Sequence, residues 1–287
     1  MPDTRAATSR GAGGPTVTLG GAGGGLELPR IGLGVFALDD ASTAQIVCAA
    51  LQAGYRGIDT AAIYGNEAGV GEGIRRSGVP RDQMVVTTKL WVDAHGVGPA
   101  RVALSDSLRR LGLEQVDLYL VHWPHTAGGR WVEAWQGLQA CQEEGLARAI
   151  GVSNFGAAHL DDLAAAGGPQ PALNQVELHP YLTGADAVAD HAARGVRTQS
   201  WSPLARGEVL AEPVIRRLSA GYDITPAQLV IAWQLAVVDA TAVKTGQPRR
   251  LAENLAAADV VLEPEHVAMI SALDRGTHVE DAYYQLA

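Results

Sequence analysis

The chain has 287 residues, 47% of them hydrophobic and 18% charged, with a net charge of −9 at neutral pH. A chain of this size buries roughly three quarters of its unfolded surface, and it has no run of eighteen apolar residues, so a disulfide scaffold, a transmembrane protein and a mainly disordered chain are excluded. The acidic balance offers no global attraction to nucleic acid or to an anionic membrane surface.

In chain order, residues 1–15 are rich in alanine, glycine, serine and arginine and read as a disordered tail. Arg5 and Arg10 are followed by no apolar stretch, so a secretory signal is not expected and a cytoplasmic protein is. Segments 16–19 and 26–28 are short β-like runs joined by the glycine-rich stretch 20–25, a hairpin with a loose turn. Strands are then expected at 31–36, 56–59, 84–90, 116–122, 147–153, 172–178, 196–202 and 240–245. Helices are expected between and after them, at 41–53, 67–76, 99–111, 131–144, 157–165, 185–193, 214–220 with 226–238, and 249–258. A last helix at 263–273 precedes a short tail, 274–287. The two cysteines, Cys48 and Cys141, lie in no C-x-x-C pair and read as reduced side chains packed in helices.

These are eight strand–helix units, and the first and last strands begin about 210 residues apart, which gives about 30 residues per unit, the size of a βα repeat. Continuous apolar runs such as 116–121 imply strands buried on both faces, as in a parallel sheet. Right-handed crossovers then close eight units into a (β/α)8 TIM barrel, with the N-terminal β-hairpin closing the bottom. With no serine- or proline-rich linker in the chain, residues 16–287 are expected to form a single domain.

In such a barrel, active sites sit where strands end and βα loops begin. Asp59 ends the second strand and Tyr64 follows it; Lys89 ends the third; His122 ends the fourth. Singly, each has an ordinary structural use: a cap, a solvated charge, a hydrogen-bonded core imidazole. Together, four titratable groups on one rim suit proton donation by a tyrosine. A free phenol, with a pKa near 10, is a poor proton donor at neutral pH, and an ammonium held by a carboxylate makes it a better one. An imidazole beside it can hydrogen-bond a carbonyl oxygen. The later strands end in Ser153 and Asn154, carry Gln175, and end in Trp201, a set of polar groups and one flat ring suited to an amide-bearing aromatic ligand. Lys244, Arg249 and Arg250 at the eighth strand end suit a phosphate, although a plain basic turn would look the same.

These motifs carry a family resemblance. Gly57-Ile58-Asp59-Thr60-Ala61, Tyr64-Gly65-Asn66-Glu67, Thr88-Lys89-Leu90-Trp91 and Leu118-Tyr119-Leu120-Val121-His122-Trp123-Pro124 appear in this order. Gly151-Val152-Ser153-Asn154-Phe155, Asn174-Gln175-Val176-Glu177, Trp201-Ser202-Pro203-Leu204 and the Lys244 block follow. From about residue 29 to 281 the chain resembles an aldo-keto reductase, most closely the short bacterial branch that includes 2,5-diketo-D-gluconate reductases. The resemblance implies NADPH-dependent reduction of an aldehyde or ketone. It makes Tyr64 the general acid, tuned by Lys89 and Asp59, with His122 orienting the carbonyl. It gives Ser153, Asn154 and Gln175 the nicotinamide carboxamide, Trp201 its ring, and Ser202 and Leu204 the pyrophosphate. Lys244, Thr245 and Arg250 would take the adenosine 2′-phosphate, with Glu253 and Asn254 near the adenine. Phe36, Trp91 and Trp123 would form an apolar substrate wall beside His122. The family usually has proline before the strand-eight lysine and serine after it; here these are Val243 and Thr245.

Other signals carry less. Gly32-Leu33-Gly34-Val35-Phe36-Ala37 fits a dinucleotide fingerprint, but Pro29 interrupts the strand before it. His122 and His125 have no cysteine or paired carboxylate nearby, so no metal site is expected. His179, before Pro180, reads as structural, and neither a P-loop nor a G-x-S-x-G elbow occurs. Two other functions compete with reduction: an aldolase-like barrel using Lys89 as Schiff-base nucleophile, and a non-catalytic sensor of nicotinamide cofactor. The expected partner is a small carbonyl compound, with no nucleic acid or membrane, and the expected assembly is a monomer.

Overall fold

The computed structural model describes residues 9–11, 14–20 and 25–279. Strands β1 (Ser9–Gly11), β2 (Gly14–Leu19) and β3 (Leu26–Pro29) form an antiparallel sheet. Pairing therefore starts within the stretch expected to be a tail, since Ser9 lies opposite Thr16. Residues 1–8, 12–13 and 21–24, including most of the glycine turn, lie outside the described residues, as does 280–287.

Eight parallel strands follow: β4 (Ile31–Gly34), β5 (Gly57–Asp59), β6 (Val85–Leu90), β7 (Val116–Val121), β8 (Ala147–Ser153), β9 (Leu173–Glu177), β10 (Arg197–Trp201) and β11 (Ala240–Lys244). They lie side by side in chain order, and β11 closes the barrel on β4, with Val243 opposite Leu33. Helices α1 (Asp40–Gln52), α2 (Glu67–Ser77), α3 (Val97–Leu111), α4 (Trp131–Glu143), α5 (Ala157–Ala166) and α6 (Ala185–Ala193) connect the first seven strands. The pair α7 (Pro213–Gly221) and α8 (Pro226–Val237) precedes β11, and α9 (Arg249–Ala256) and α10 (Pro264–Ser271) follow it. The eight-unit TIM barrel is as expected, with element ends displaced by a few residues.

Every residue of β7 is buried, including Asp117, the charged residue in an otherwise apolar run. Its carboxylate is held by Arg81 at 2.6 Å and Arg148 at 2.8 Å and accepts the Val86 N–H at 2.9 Å. A buried charge persists only when partnered in this way. The hairpin does seal the barrel floor: Val17, Leu19, Leu26 and Leu28 pack on Val85, Leu118 and Ala240. Helix α2 is wedged between its neighbours, and a methyl group on Gly71 would sit 2.1 Å from the Leu111 carbonyl oxygen. Only glycine permits that approach.

Strand β4 ends at Gly34 and not at residue 36, because the side chain of Asn66 takes over the next carbonyls, donating to Val35 O at 2.8 Å and Leu38 O at 3.1 Å. At the far end, described residues of the final segment fold back on the rim. Glu177 accepts from the Val279 N–H at 2.7 Å and lies 3.0 Å from both His179 Nε2 and His278 Nδ1, while Arg275 pairs with Glu212. His179 has the structural use expected of it. Among the described residues no helix is long and apolar enough to cross a membrane.

Candidate active site

All eight barrel strands point the same way, so their C-terminal ends share one rim. A cavity of about 840 Å³ opens there. It is lined by Asp59, Tyr64 and His122, by Phe36, Trp91 and Trp123, by Ser153, Asn154 and Gln175, by Trp201, Ser202 and Leu204, and by Lys244, Thr245 and Arg250. Glu253 and Asn254 line an adjoining hollow of about 190 Å³ with Thr225, Lys244 and Arg250. Apart from Lys89 and Arg249, every predicted site residue therefore borders one of two neighbouring spaces.

Lys89 lies just below the cavity. It is wholly buried, and its Nζ donates to Asp59 Oδ1 at 2.5 Å and to the Thr60 carbonyl at 2.9 Å. Burial pulls its amine below the ordinary lysine range, against the attraction of Asp59 and Glu67. Nζ is 5.3 Å from the centre of the Tyr64 ring. Tyr64 ends a short 3₁₀ turn, Ala62–Tyr64, which lifts the ring over the lysine. The ring lies 5.6 Å from that of His122 at 72° and 5.0 Å from Phe36. Trp91 meets His122 edge-on at 5.2 Å.

His122 is held well below the usual histidine range, first by burial and then by the charge of Lys89. It is therefore neutral at neutral pH, and its Nδ1 is buried with no hydrogen-bond partner among the described residues. A neutral imidazole can hydrogen-bond a carbonyl but carries no spare proton to give it.

The residues that follow Tyr64 divide by role. Asn66 accepts from Thr60 Oγ1 at 2.8 Å and, as described above, holds the loop after β4. Glu67 is buried, accepting from Thr88 Oγ1 at 2.6 Å and Arg110 Nε at 2.8 Å. Both fix the frame that carries Tyr64.

The expected carboxamide set is less uniform than its sequence spacing suggests. Ser153 Oγ donates to the Gln175 carbonyl at 2.8 Å. Asn154 spends its amide on the His122 carbonyl and Ser153 Oγ, both at 3.0 Å, and accepts the Trp201 indole N–H at 2.9 Å. Gln175 Nε2 donates to Asp59 Oδ2 and to Gln199 Oε1, each at 2.7 Å. Gln199, Ile63, Arg206, Leu210 and Gln247 were missed by the sequence reading. The last four line the cavity. Arg206 belongs to a kinked loop, and four of the seven described non-glycine residues with left-handed backbone, Ala37, Asn154, Ser202 and Arg206, border this cavity. Strain of this kind collects at binding sites.

One end of the two spaces holds the phenol and the imidazole above the buried lysine; the other holds Lys244 at the end of β11 and Arg250 in the first turn of α9, beside Thr225, whose Oγ1 donates to Glu253 at 2.7 Å. Among the described residues no cluster of histidine, cysteine or acidic groups could hold a metal ion.

Comparison with known proteins agrees with this architecture. Residues 30–275 match the model of the aldo/keto reductase family. An aldo-keto reductase of Mycolicibacterium vanbaalenii is 47% identical over 250 residues, 87% of this chain and 90% of that protein. An aldo/keto reductase structure from Brucella melitensis superimposes with a TM-score of 0.85 at 36% identity, covering 91% of this chain and all of that one. An aldo-keto reductase of Bombyx mori, solved in complex with NADP, superimposes with a TM-score of 0.84 at 32% identity, covering 90% and 93% of the two chains. The chain belongs to the aldo-keto reductase family.

Proposed function

We propose that this protein is an NADPH-dependent carbonyl reductase in which Tyr64 gives a proton to the oxygen of a small aldehyde or ketone. The observation that carries this is the convergence of Asp59, Lys89, Tyr64 and His122 beneath one cavity, with the lysine amine wholly enclosed and in contact with the aspartate. Relatives solved with NADP support the choice of cofactor. When bound, the cofactor supplies the hydride.

The chain's own residues do the rest. The phenol of Tyr64 protonates the oxygen on which charge develops, and the positive charge of Lys89 beside it lessens the cost of giving up that proton. Asp59 keeps Lys89 in place through the 2.5 Å contact. Neutral His122 orients the carbonyl by hydrogen bonding. Phe36, Trp91 and Trp123 exclude water from the reacting carbon. Gln175 would hold the carboxamide, with Ser153 and Asn154 fixing the surrounding backbone and the Trp201 indole, whose flat face would serve the nicotinamide ring. Ser202 and Leu204 would hold the pyrophosphate, Lys244, Thr245 and Arg250 the 2′-phosphate, and Glu253 and Asn254 the adenine.

The Schiff-base alternative gains nothing from the geometry, because Lys89 has no exposed surface and both Asp59 and Thr60 hold its amine. The deciding measurement is an initial-rate panel of aldehydes, diketones and keto sugars with NADPH and with NADH. Turnover of a reactive aldehyde with NADPH is expected, and its absence across the panel would leave a cofactor sensor. Arg250→Ala is expected to weaken NADPH ten- to hundredfold, the scale of one charge-assisted contact worth about 1.5–3 kcal/mol, and to leave NADH nearly unchanged. Equal losses for both would remove Arg250 from 2′-phosphate recognition.

A further inference from the structure

We infer that Gln199 is a positioning residue: it turns the Gln175 amide so that the carbonyl oxygen, and not the N–H groups, faces the nicotinamide carboxamide. Gln175 and Gln199 are direct neighbours in the parallel pairing of β9 and β10, so their side chains leave the same face of the sheet. Both are buried, at 2% and 3% exposure. An amide nitrogen has two N–H donors and the amide oxygen only accepts.

Asp59 decides the first half of the orientation. Its Oδ1 is taken by Lys89, and its Oδ2 accepts from Gln175 Nε2 at 2.7 Å. An ionised carboxylate can only accept, so the nitrogen of Gln175 must face it. Gln199 decides the second half, since its Oε1 accepts the remaining N–H at 2.7 Å. With both hydrogens used, the one polar atom Gln175 has left is Oε1. That oxygen makes no hydrogen bond among the described residues, and Gln175 borders the cavity. It is thus an acceptor set to receive the carboxamide NH₂, resting on the cofactor placement proposed above. Gln199 itself does not line the cavity, so it acts only through Gln175. Without it, one Gln175 N–H is unsatisfied in a buried setting, and the amide tilts to find another acceptor.

The test compares two ligands that share the 2′-phosphate, adenosine and pyrophosphate and differ in the nicotinamide: NADPH and 2′-phospho-ADP-ribose. Their dissociation constants are measured by calorimetry on the wild type, Gln199→Met and Gln199→Glu. Met removes the acceptor at similar length; Glu retains an acceptor oxygen. Gln199→Met is expected to weaken NADPH about tenfold and leave 2′-phospho-ADP-ribose unchanged, while Gln199→Glu keeps the wild-type ratio within about threefold. Equal weakening of both ligands by Met, no weakening at all, or a Glu variant as impaired as Met would each overturn the inference. If the Met variant does not fold, Gln199→Ala carries the same expectations. A wild type that binds NADPH no more tightly than 2′-phospho-ADP-ribose, or does not bind it, would sink the cofactor placement itself, an outcome separate from the others.

Discussion

Tyr64→Phe is expected to lower kcat for carbonyl reduction by about 10²–10⁴-fold, the usual scale for removing a positioned acid, while NADPH affinity changes by less than about twofold. The asymmetry follows from the site. The phenol stands over Lys89 and beside His122, and His122 is held neutral by burial and by the lysine charge. Once the hydroxyl is gone, the neutral His122 beside it carries no spare proton to give in its place. The ring itself remains packed on Phe36 and His122, so the fold and the shape of the cavity are expected to persist. Stopped-flow measurement of hydride transfer, together with an NADPH titration, checks both halves. A variant that keeps more than about a tenth of the wild-type rate would take Tyr64 out of the proton-donor role.

Lys89→Met should combine a loss of rate with a loss of stability. Breaking a buried ion pair leaves its partner uncompensated, and such ruptures cost about 3–5 kcal/mol. Asp59 would retain the Gln175 N–H but lose the cation 2.5 Å away. In a chain of this size the midpoint of thermal unfolding should fall by on the order of 10 °C. Lys89→Met with Asp59→Asn removes the stranded charge, so the double variant should recover part of the lost stability and none of the lost rate. Calorimetric melting of the two variants measures the first, and initial rates the second. If the single variant melts with the wild type, the pair is not the buried, unscreened contact its geometry indicates.

Much of the architecture was readable residue by residue. The run at 116–121 has nowhere to lie but between two buried layers, and seven further strand-like runs at about 30-residue spacing close naturally into a barrel. Once the barrel is accepted, the strand-end rule alone selects Asp59, Lys89, His122, Ser153, Trp201 and Lys244. Boundaries were less legible where a side chain replaced the sheet as hydrogen-bond partner. The amide of Asn66, 31 residues on from Val35, ends β4 two residues before the apolar pattern does. The strand Ser9–Gly11 was missed because glycine, serine and arginine carry little strand preference, and only its pairing with β2 sustains it.

Within the site, sequence spacing located the polar groups but not which of them remain available to a ligand. Ser153, Asn154 and Gln175 look equivalent as strand-end hydrogen-bonders, yet the first two are committed to neighbouring backbone and side chains and Gln175 retains an acceptor. Gln199 drew no notice because it stands two residues before Trp201, inside the strand and away from the rim. Its significance lies in the β9–β10 register, a long-range pairing that no local pattern encodes.

The amino-acid order by itself determined the barrel, its rim and the kinds of group that gather there, because strand period, burial and loop position are local consequences of side-chain chemistry. Tertiary structure alone decided which nitrogen faces which oxygen, that His122 is neutral and that Lys89 is sealed from solvent. Those outcomes depend on distances between strands and on exclusion of water, and both exist only once the barrel has closed.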